Sequence, residues 1–516
     1  MSVESHAAVV LGIDAPAIDD VVAVARHAAP VRLADDALAE IARTRAVVDG
    51  LASDPLPHYG ISTGFGALAL RHIPAERRVA LQRSLIRSHA AGSGPEVERE
   101  VVRALMFLRL STLATGRTGV RPETATAYAA MLNAGLTPVI PEHGSLGCSG
   151  DLAPLAHCAL ALMGEGDVRD GDGTLRRAAG ALADAGIAPI VLAEKEGLAL
   201  INGTDGMLGM LVLAIADLRT LLATADVSAA MSVEGLLGTD AVFAEDLHAL
   251  RPHPGQAAAA ANMRAILAGS PIVASHKGPE DTRVQDAYSL RCAPAVSGGA
   301  RDTLAHATLI AERELASAID NPVITLDDRI ESNGNFHGAP LAYVLDFLAI
   351  VCADVASMAE RRTDRFLDTA RSHGLPAFLA HDPGVDSGHM IAQYTQAALV
   401  SELKRLAVPA SADSIPSSAM QEDHVSMGWN AARKLRRAVD ALARVLAIEV
   451  LTAARGIRLR APLEPGAATA AVLDALGDLG VPGPDRFLAP EIEATVALVR
   501  SGAVRAAVES VTGPLR

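Results

Sequence analysis

The sequence predicts a mainly α-helical protein in which a mixed N-terminal domain is followed by a bundle of long helices. After about residue 206, apolar residues recur at steps of three and four over long stretches, which is the spacing of one helix face. Aromatic residues make up only 3% of the chain, so the core is mainly Ala, Leu and Val, whose small size lets helices pack closely. We therefore expect an N-terminal domain over residues 1–205 and a helical bundle with a C-terminal helical region over 206–516.

The predicted N-terminal domain consists of short apolar segments separated by Gly- and Pro-containing turns. Within it, VRDGDGTLRR at residues 168–177 predicts a small β-hairpin, because Asp-Gly is a strong turn signal between strands. The first twenty residues are acidic and lack a basic segment followed by an apolar one. We therefore expect no secretory signal and a cytoplasmic location.

The longest apolar run is GMLGMLVLAIADLRTLL, and Asp205 and Asp217 restrict its length. We expect this run to be too short to cross a membrane and interpret it as a buried helix. A second helix is predicted from Pro340 onward, because Pro suits the first helical turn and RRTDR puts positive charge near the far end. The same periodicity predicts helices over residues 300–318, 340–366, 389–407 and 430–456.

Charge and cysteine spacing argue against several classes of function. The formal net charge is −15, whereas nucleic-acid binding needs clustered Lys and Arg, so we expect no nucleic-acid partner. The four cysteines show neither a Cys-x-x-Cys pair nor zinc-ligand spacing, and we expect no metal site. We interpret Cys158, Cys292 and Cys352 as reduced, mostly buried thiols.

The segment EHGSLGCSGDLAPLAH, residues 142–157, is the most informative part of the chain. On local sequence alone it is best explained as a turn in which Asp151 caps a helix that begins near Leu152. Alternatively, Ser149 or Cys148 could be an acyl-transfer nucleophile with His157 as its base. The G-x-S-x-G pattern is missing, however, and His157 would lie about two helical turns away.

A third interpretation is chemistry of the backbone itself. Gly150 has no side chain, so its amide nitrogen can approach the carbonyl carbon of Cys148. Ring closure with loss of water would give an imidazolone, and loss of water from Ser149 would leave an exocyclic methylidene, which is an electrophile. Only the carbonyl of residue 148 takes part, so a cysteine is chemically acceptable there.

These residues resemble the signature of the histidine/phenylalanine ammonia-lyase family, whose Ala-Ser-Gly forms a methylidene-imidazolone group. The likeness is greatest to the bacterial histidine-specific members of the actinobacterial type. Two departures are Cys148, where most members have Ala, and Met420, where many histidine-specific members have Asn. The motifs occur in the family's order over nearly the whole chain: YGISTGFG, SHAAG, GSLGCSGDLAPLAH, LINGT, QDAYSLRC, GNFHG and QEDHVSM.

The resemblance implies a carbon–nitrogen lyase with a fumarase/aspartase-like architecture that converts L-histidine to trans-urocanate and ammonia, the first step of histidine degradation. It implies a homotetramer with shared active sites, and a prosthetic group made from Cys148-Ser149-Gly150 without an external cofactor or membrane partner. The implied base is Tyr59, with Tyr288 supporting it or sharing the role. The implied substrate contacts and assisting groups are His89, Asn202, Gln285, Arg291, Phe336 and Glu422.

Within the family, His89 and Glu422 favour histidine as the substrate. A carboxylate and an imidazole can hydrogen-bond the N–H groups of the substrate ring, and a phenyl ring would leave them unpaired. Glu422 is also expected to assist proton transfer. The rivals are a phenylalanine or tyrosine ammonia-lyase, an aminomutase, an inactive helical assembly protein and a thiol hydrolase that uses Cys148. Asn202 and Asn335 could instead be turn residues.

Overall fold

A computed structural model of the chain describes residues 7–68, 70–279, 281 and 284–516. It forms two compact units, each assembled from three segments of the chain. The first unit contains residues 1–213, 308–345 and 409–433, and the second contains 214–307, 346–408 and 434–516. The predicted boundary at residue 205 coincides with the start of a long helix and stays a prediction.

Helices dominate the described residues, which confirms the mainly α-helical fold. The helices up to the first long one are α1 Ile18–His27, α2 Asp35–Ala52, α3 Arg78–His89, α4 Arg99–Ala114, α5 Pro122–Asn133, α6 Leu152–Leu162, α7 Ala178–Asp184, α8 Glu196–Ala199 and α9 Asp205–Gly235. Those that follow are α10 Glu245–Ala249, α11 Pro254–Leu267, α12 Pro271–Ala274, α13 Tyr288–Arg291, α14 Ala293–Leu315, α15 Ala339–Leu367, α16 Met390–Leu406, α17 Gly428–Arg458, α18 Ala467–Leu476, α19 Ala489–Arg500 and α20 Ala503–Thr512.

The strands are short and belong to the first unit. They are β1 Val9–Leu11, β2 Val31–Leu33, β3 Ser93–Glu96, β4 Thr137–Pro138, β5 Pro141–His143, β6 Asp167–Arg169, β7 Leu175–Arg177, β8 Val323–Ile324 and β9 Ile330–Glu331. Strands β1 and β2 are parallel, and the other pairings are antiparallel: β3 with β5, β4 with β6, β6 with β7, and β8 with β9. The β6–β7 pair confirms the predicted hairpin.

The predicted long helices are present with shifted ends. Helix α15 matches the predicted 340–366 almost to the residue, whereas α14 begins seven residues before the predicted 300. Helix α9 is 31 residues long, and its length and composition would be sufficient to cross a membrane. The expectation that its apolar run is too short for a membrane span is therefore wrong. Yet 78% of its most apolar stretch is buried inside the protein, as predicted for a buried helix.

The core of the first unit is built around α4, whose residues from Val101 to Ala114 are all buried. Two arginines on this helix are buried as well, and each donates to backbone carbonyls. Arg109 donates to the carbonyls of Asn202 (2.5 Å) and Ile319 (2.9 Å). These bonds satisfy buried donors and fix the chain around Asn202, close in sequence to the start of α9.

Candidate active site

The turn before α6 has a backbone that requires glycine at position 150. Gly150 has a positive φ of 76° and pairs with Gly203 in an isolated β-bridge. A Cβ on Gly150 would lie 2.2 Å from the carbonyl oxygen of Gly203, which is far inside van der Waals contact. Only glycine fits there, so the small residue that backbone chemistry needs is enforced by packing.

The carboxylate of Glu422 lies against this turn and accepts three side-chain hydrogen bonds. The Cys148 thiol donates to Oε2 (3.1 Å), the Ser149 hydroxyl donates to Oε1 (3.2 Å), and the Ser417 hydroxyl donates to Oε2 (3.0 Å). Sequence reasoning predicted Glu422 as a site residue and missed Ser417. The only signal for Ser417 was its place in the serine-rich loop just before QEDH.

Local backbone geometry puts Glu422 in this position. Ser418, Ala419 and Met420 all have positive φ values, between 50° and 69°, in a short 3₁₀ turn. The turn reverses the chain, so that the backbones of Ser417 and Glu422 pair in an antiparallel bridge. Met420 is 67% exposed at this turn, which is where the sequence departs from the family pattern.

Asp151 has a different role from the predicted one. Helix α6 begins at Leu152 as expected, but the Asp151 carboxylate does not cap it. It accepts from the backbone N–H groups of Gly206 and Met207 (both 2.9 Å), in the first turn of α9, and from the Ser145 hydroxyl (2.8 Å). The prediction failed because the orphan N–H groups of a helix can be satisfied by a side chain distant in sequence. Asp151 therefore ties the turn to α9.

The Cys148 thiol is protonated in this environment. Burial raises the pKa of Cys148 to about 12, and the hydrogen bond to Glu422 acts in the same direction. A protonated thiol is a poor nucleophile, which argues against the thiol-hydrolase alternative. His157 Nε2 accepts from the backbone N–H of Gly92 (3.3 Å), whereas the Ser149 hydroxyl donates to Glu422.

His89 is the last residue of α3, and its hydrogen bonds define its tautomer. Nδ1 lies 2.9 Å from the Leu85 carbonyl oxygen, which can only accept, so Nδ1 carries the proton. Burial lowers the pKa of His89 from its ordinary value, while the negative charge of Glu422 opposes this shift. The neutral ring then offers Nε2 as a hydrogen-bond acceptor.

Three further predicted residues of the first unit have defined surroundings. The Tyr59 hydroxyl oxygen accepts from the backbone N–H of Gly66 (3.2 Å), and the buried Asn202 amide donates to the Asn321 carbonyl (3.1 Å). Phe336 is partly buried in the loop before α15. The Asn333 side-chain oxygen accepts a hydrogen bond from the backbone N–H of Asn335, and this bond closes a turn.

Gln285, Tyr288 and Arg291 belong to the second unit. Tyr288 is 71% exposed and is the first residue of the one-turn helix α13. The Arg291 guanidinium lies 4.7 Å above the Tyr288 ring centre, a cation–π contact. Arg291 Nε is buried without a hydrogen-bond partner among the described residues, which leaves a donor for an anionic ligand.

The cysteines outside the site largely agree with the prediction. Cys158 and Cys352 are buried free thiols, whereas Cys292 is partly exposed. Sequence reasoning missed a fully buried ion pair, in which Lys195 Nζ lies 2.5 Å from Asp320 Oδ2. A lone Lys and a lone Asp separated by more than 120 residues give no pattern that could reveal it.

Comparison with known proteins identifies relatives along almost the entire chain. The family model described as aromatic amino acid lyase matches residues 17–478. The chain is 66% identical over 510 residues to a histidine ammonia-lyase of Streptomyces coelicolor, which covers 98% of this chain and 99% of the relative. A solved tyrosine aminomutase from Streptomyces globisporus is 37% identical with a TM-score of 0.93, covering 98% of this chain and 100% of that one. A solved histidine ammonia-lyase from Trypanosoma cruzi is 39% identical with a TM-score of 0.90, covering 98% and 95%.

Proposed function

Because the chain belongs to the aromatic amino acid lyase family, we propose that the site around Ser149 carries out the elimination of ammonia from L-histidine. The chain is a carbon–nitrogen lyase with histidine ammonia-lyase activity, and its product is trans-urocanate. The observation that supports the site is the Glu422 carboxylate, which is hydrogen-bonded to both Cys148 and Ser149. We place the reaction in the cytoplasm.

Residues 148–150 fit a methylidene-imidazolone group that forms from the chain itself. Gly150 lies so close to Gly203 that a side chain would not fit, and its positive φ suits a tight turn. The Ser149 hydroxyl, which would leave as water, already has a hydrogen-bonding partner in Glu422. Once formed, the group supplies an electrophile that makes the substrate amine a better leaving group. It requires no external cofactor or metal ion.

The substrate ring is recognised by His89 and Glu422. Nε2 of neutral His89 and the oxygens of Glu422 are acceptors, so together they suit a ring that carries N–H donors. The imidazole of histidine offers one N–H donor when neutral and two when protonated, whereas a phenyl ring offers none. Each polar group left unpaired by a phenyl ring would cost about 1–3 kcal/mol. Histidine is therefore preferred over phenylalanine.

Tyr59 is the leading candidate for the base that removes the β-proton. The N–H of Gly66 donates to its hydroxyl oxygen, which gives the phenol a defined hydrogen-bond partner. Glu422 assists proton transfer near the ring. Asn202 is proposed to offer an amide close to the substrate, and Phe336 is proposed to form an aromatic wall.

Arg291, Tyr288 and Gln285 are the remaining residues proposed to act on the substrate. Arg291 binds the substrate carboxylate, since its planar fork suits two oxygens and its buried Nε lacks a partner among the described residues. Tyr288 supports Tyr59 or shares the role of base, and Gln285 offers an amide to the substrate. The active assembly is a homotetramer whose sites draw on more than one subunit.

An aminomutase is the second candidate, because the solved tyrosine aminomutase has a TM-score of 0.93 with this chain. Its 37% identity is well below the 66% shared with the Streptomyces histidine ammonia-lyase. A mutase would return the amine to the β-carbon and yield a β-amino acid. Chromatography of the products distinguishes this outcome from free ammonia and a conjugated acid.

The decisive experiment supplies purified protein with L-histidine, L-phenylalanine or L-tyrosine and follows the ultraviolet absorbance of the conjugated product. We expect a rise with histidine alone. Intact mass of the wild type should show the loss of two waters. Ser149→Ala has no hydroxyl to lose as water, so it should fold normally, lack the electrophile and lose nearly all activity. A rise with phenylalanine or tyrosine instead of histidine would contradict the substrate assignment.

A further inference from the structure

We propose that Cys148, besides contributing its backbone, is a positioning residue whose thiol fixes the Glu422 carboxylate for catalysis. The inference rests on the proposed function. Formation of the prosthetic group uses only the carbonyl of residue 148, and the proposal gives the cysteine side chain a separate role. The thiol acts through Glu422 and does not itself exchange protons with the substrate.

The hydrogen bonds to Glu422 are divided between its two oxygens. Oε2 accepts from the Cys148 thiol and the Ser417 hydroxyl, and Oε1 accepts from the Ser149 hydroxyl. Loss of water from Ser149 removes the donor to Oε1 and leaves both donors to Oε2. Glu422 would then be held by Oε2, and Oε1 would be available to an N–H of the substrate ring.

The surroundings of Cys148 hold the thiol in this orientation. Its side chain is 6% exposed and packs with the buried Val425 and Met427, which follow Glu422 in the chain. Burial keeps the thiol protonated, so it remains a donor at neutral pH. An apolar wall on one side and a carboxylate on the other leave Cys148 few alternative partners.

Three variants test the proposal. Cys148→Ala removes the donor, Cys148→Ser replaces it with a hydroxyl donor, and Cys352→Ala removes a buried thiol of the second unit as a matched control. We expect kcat/KM for L-histidine to fall about 3- to 10-fold in Cys148→Ala, the range for one lost hydrogen bond. Cys148→Ser should stay within about twofold of the wild type, as should Cys352→Ala.

Infrared spectroscopy of the S–H stretch provides a readout that does not depend on activity. The Cys148 band, isolated as the difference between wild type and Cys148→Ala, should lie below the Cys352 band, because hydrogen bonding to a carboxylate weakens the S–H bond. In Glu422→Gln the Cys148 band should move toward the Cys352 band, since a neutral amide is a weaker acceptor.

The proposal would be overturned if Cys148→Ala kept the wild-type kcat/KM, or if Cys148→Ser were as impaired as Cys148→Ala. It would be overturned as well if the Cys148 S–H band did not shift in Glu422→Gln. It would also be overturned if Cys148→Ala failed to lose two waters by intact mass, because the defect would then lie in maturation. Failure of the proposed function is recognised separately, as absent histidine turnover in the wild type, while the infrared bands still decide whether the thiol binds Glu422.

Discussion

Glu422 and Glu449 are two carboxylates that each accept hydrogen bonds from two serines, yet their surroundings differ in charge. Glu449, on α17, accepts from Ser228 and Ser232 (both 2.7 Å) and also from the Arg362 guanidinium (2.5 and 2.9 Å). Glu422 lies in a loop, where the described side-chain donors to it are two hydroxyls and a thiol, all neutral.

This difference separates a structural carboxylate from the one that we propose takes part in catalysis. Glu449 is fully buried and its charge is compensated by Arg362, so removing either partner leaves an unpaired charge in the core. Glu422 is partly exposed and held by neutral donors, so it keeps the capacity to accept a further hydrogen bond or a proton. Burial and a cation fix a carboxylate in place, whereas neutral donors orient it and leave it available.

The largest expected effect is the loss of turnover in Glu422→Gln. The variant removes the acceptor charge and the proton-transfer group, so kcat should fall by about 10²- to 10⁴-fold, the usual contribution of an acid–base residue. The thermal unfolding midpoint should change little, because the group is held by neutral donors in a loop. Near-native turnover would refute the catalytic assignment and erase the contrast with Glu449.

Glu449→Gln should have the opposite profile. It leaves the buried Arg362 charge uncompensated and should lower the free energy of unfolding by about 3–5 kcal/mol. Chemical denaturation followed by circular dichroism measures this loss. The double variant Arg362→Leu/Glu449→Leu is the control and should recover part of the stability, because it leaves no lone charge. Equal stability of Glu449→Gln and wild type would contradict the structural role.

The buried His389 tests how burial of a titratable group affects stability as the pH changes. His389 Nδ1 lies 3.1 Å from the Thr452 hydroxyl, and burial lowers the pKa of His389 from 6.5 to about 4. As the pH falls, His389 is protonated first in the unfolded chain. The free energy of unfolding therefore has its full value above pH 6.5 and decreases as the pH drops toward 4. The loss should reach about 3 kcal/mol. In His389→Asn, which cannot titrate but can still bond Thr452, this part of the pH dependence should disappear. If the free energy of unfolding of His389→Asn depended on pH as strongly as that of the wild type, the role of His389 would be contradicted.

Ser417→Ala should have the smallest effect. It removes one neutral donor to Glu422 Oε2 but leaves the backbone bridge between Ser417 and Glu422. We expect kcat to fall about 3- to 10-fold with little change in stability. Ser418→Ala removes the neighbouring hydroxyl and is the matched control for steady-state kinetics. A loss as large as that of Glu422→Gln would mean that Ser417 itself takes part in the chemistry.

Periodicity predicted the long helices because one face of each helix must be buried. Burial of one face places apolar residues at steps of three and four in the local sequence. Helix α15 and the β6–β7 hairpin are examples in which local pattern and turn chemistry agree with the structure. The start of α14 was placed too late, since its first turns, APAVSGGA, contain Gly and Ser that weaken the periodic signal. Packing overrides that weak local preference.

The sequence by itself determined the helical class, the Cys148-Ser149-Gly150 turn and the identity of Glu422 as a candidate, because these follow from residue types and short spacings. Only the tertiary structure decided that Asp151 caps α9 and that Glu422 receives bonds from Cys148 and Ser149, which lie more than 270 residues away. Hydrogen bonds between distant segments depend on how the chain closes its loops, and no local pattern encodes that closure.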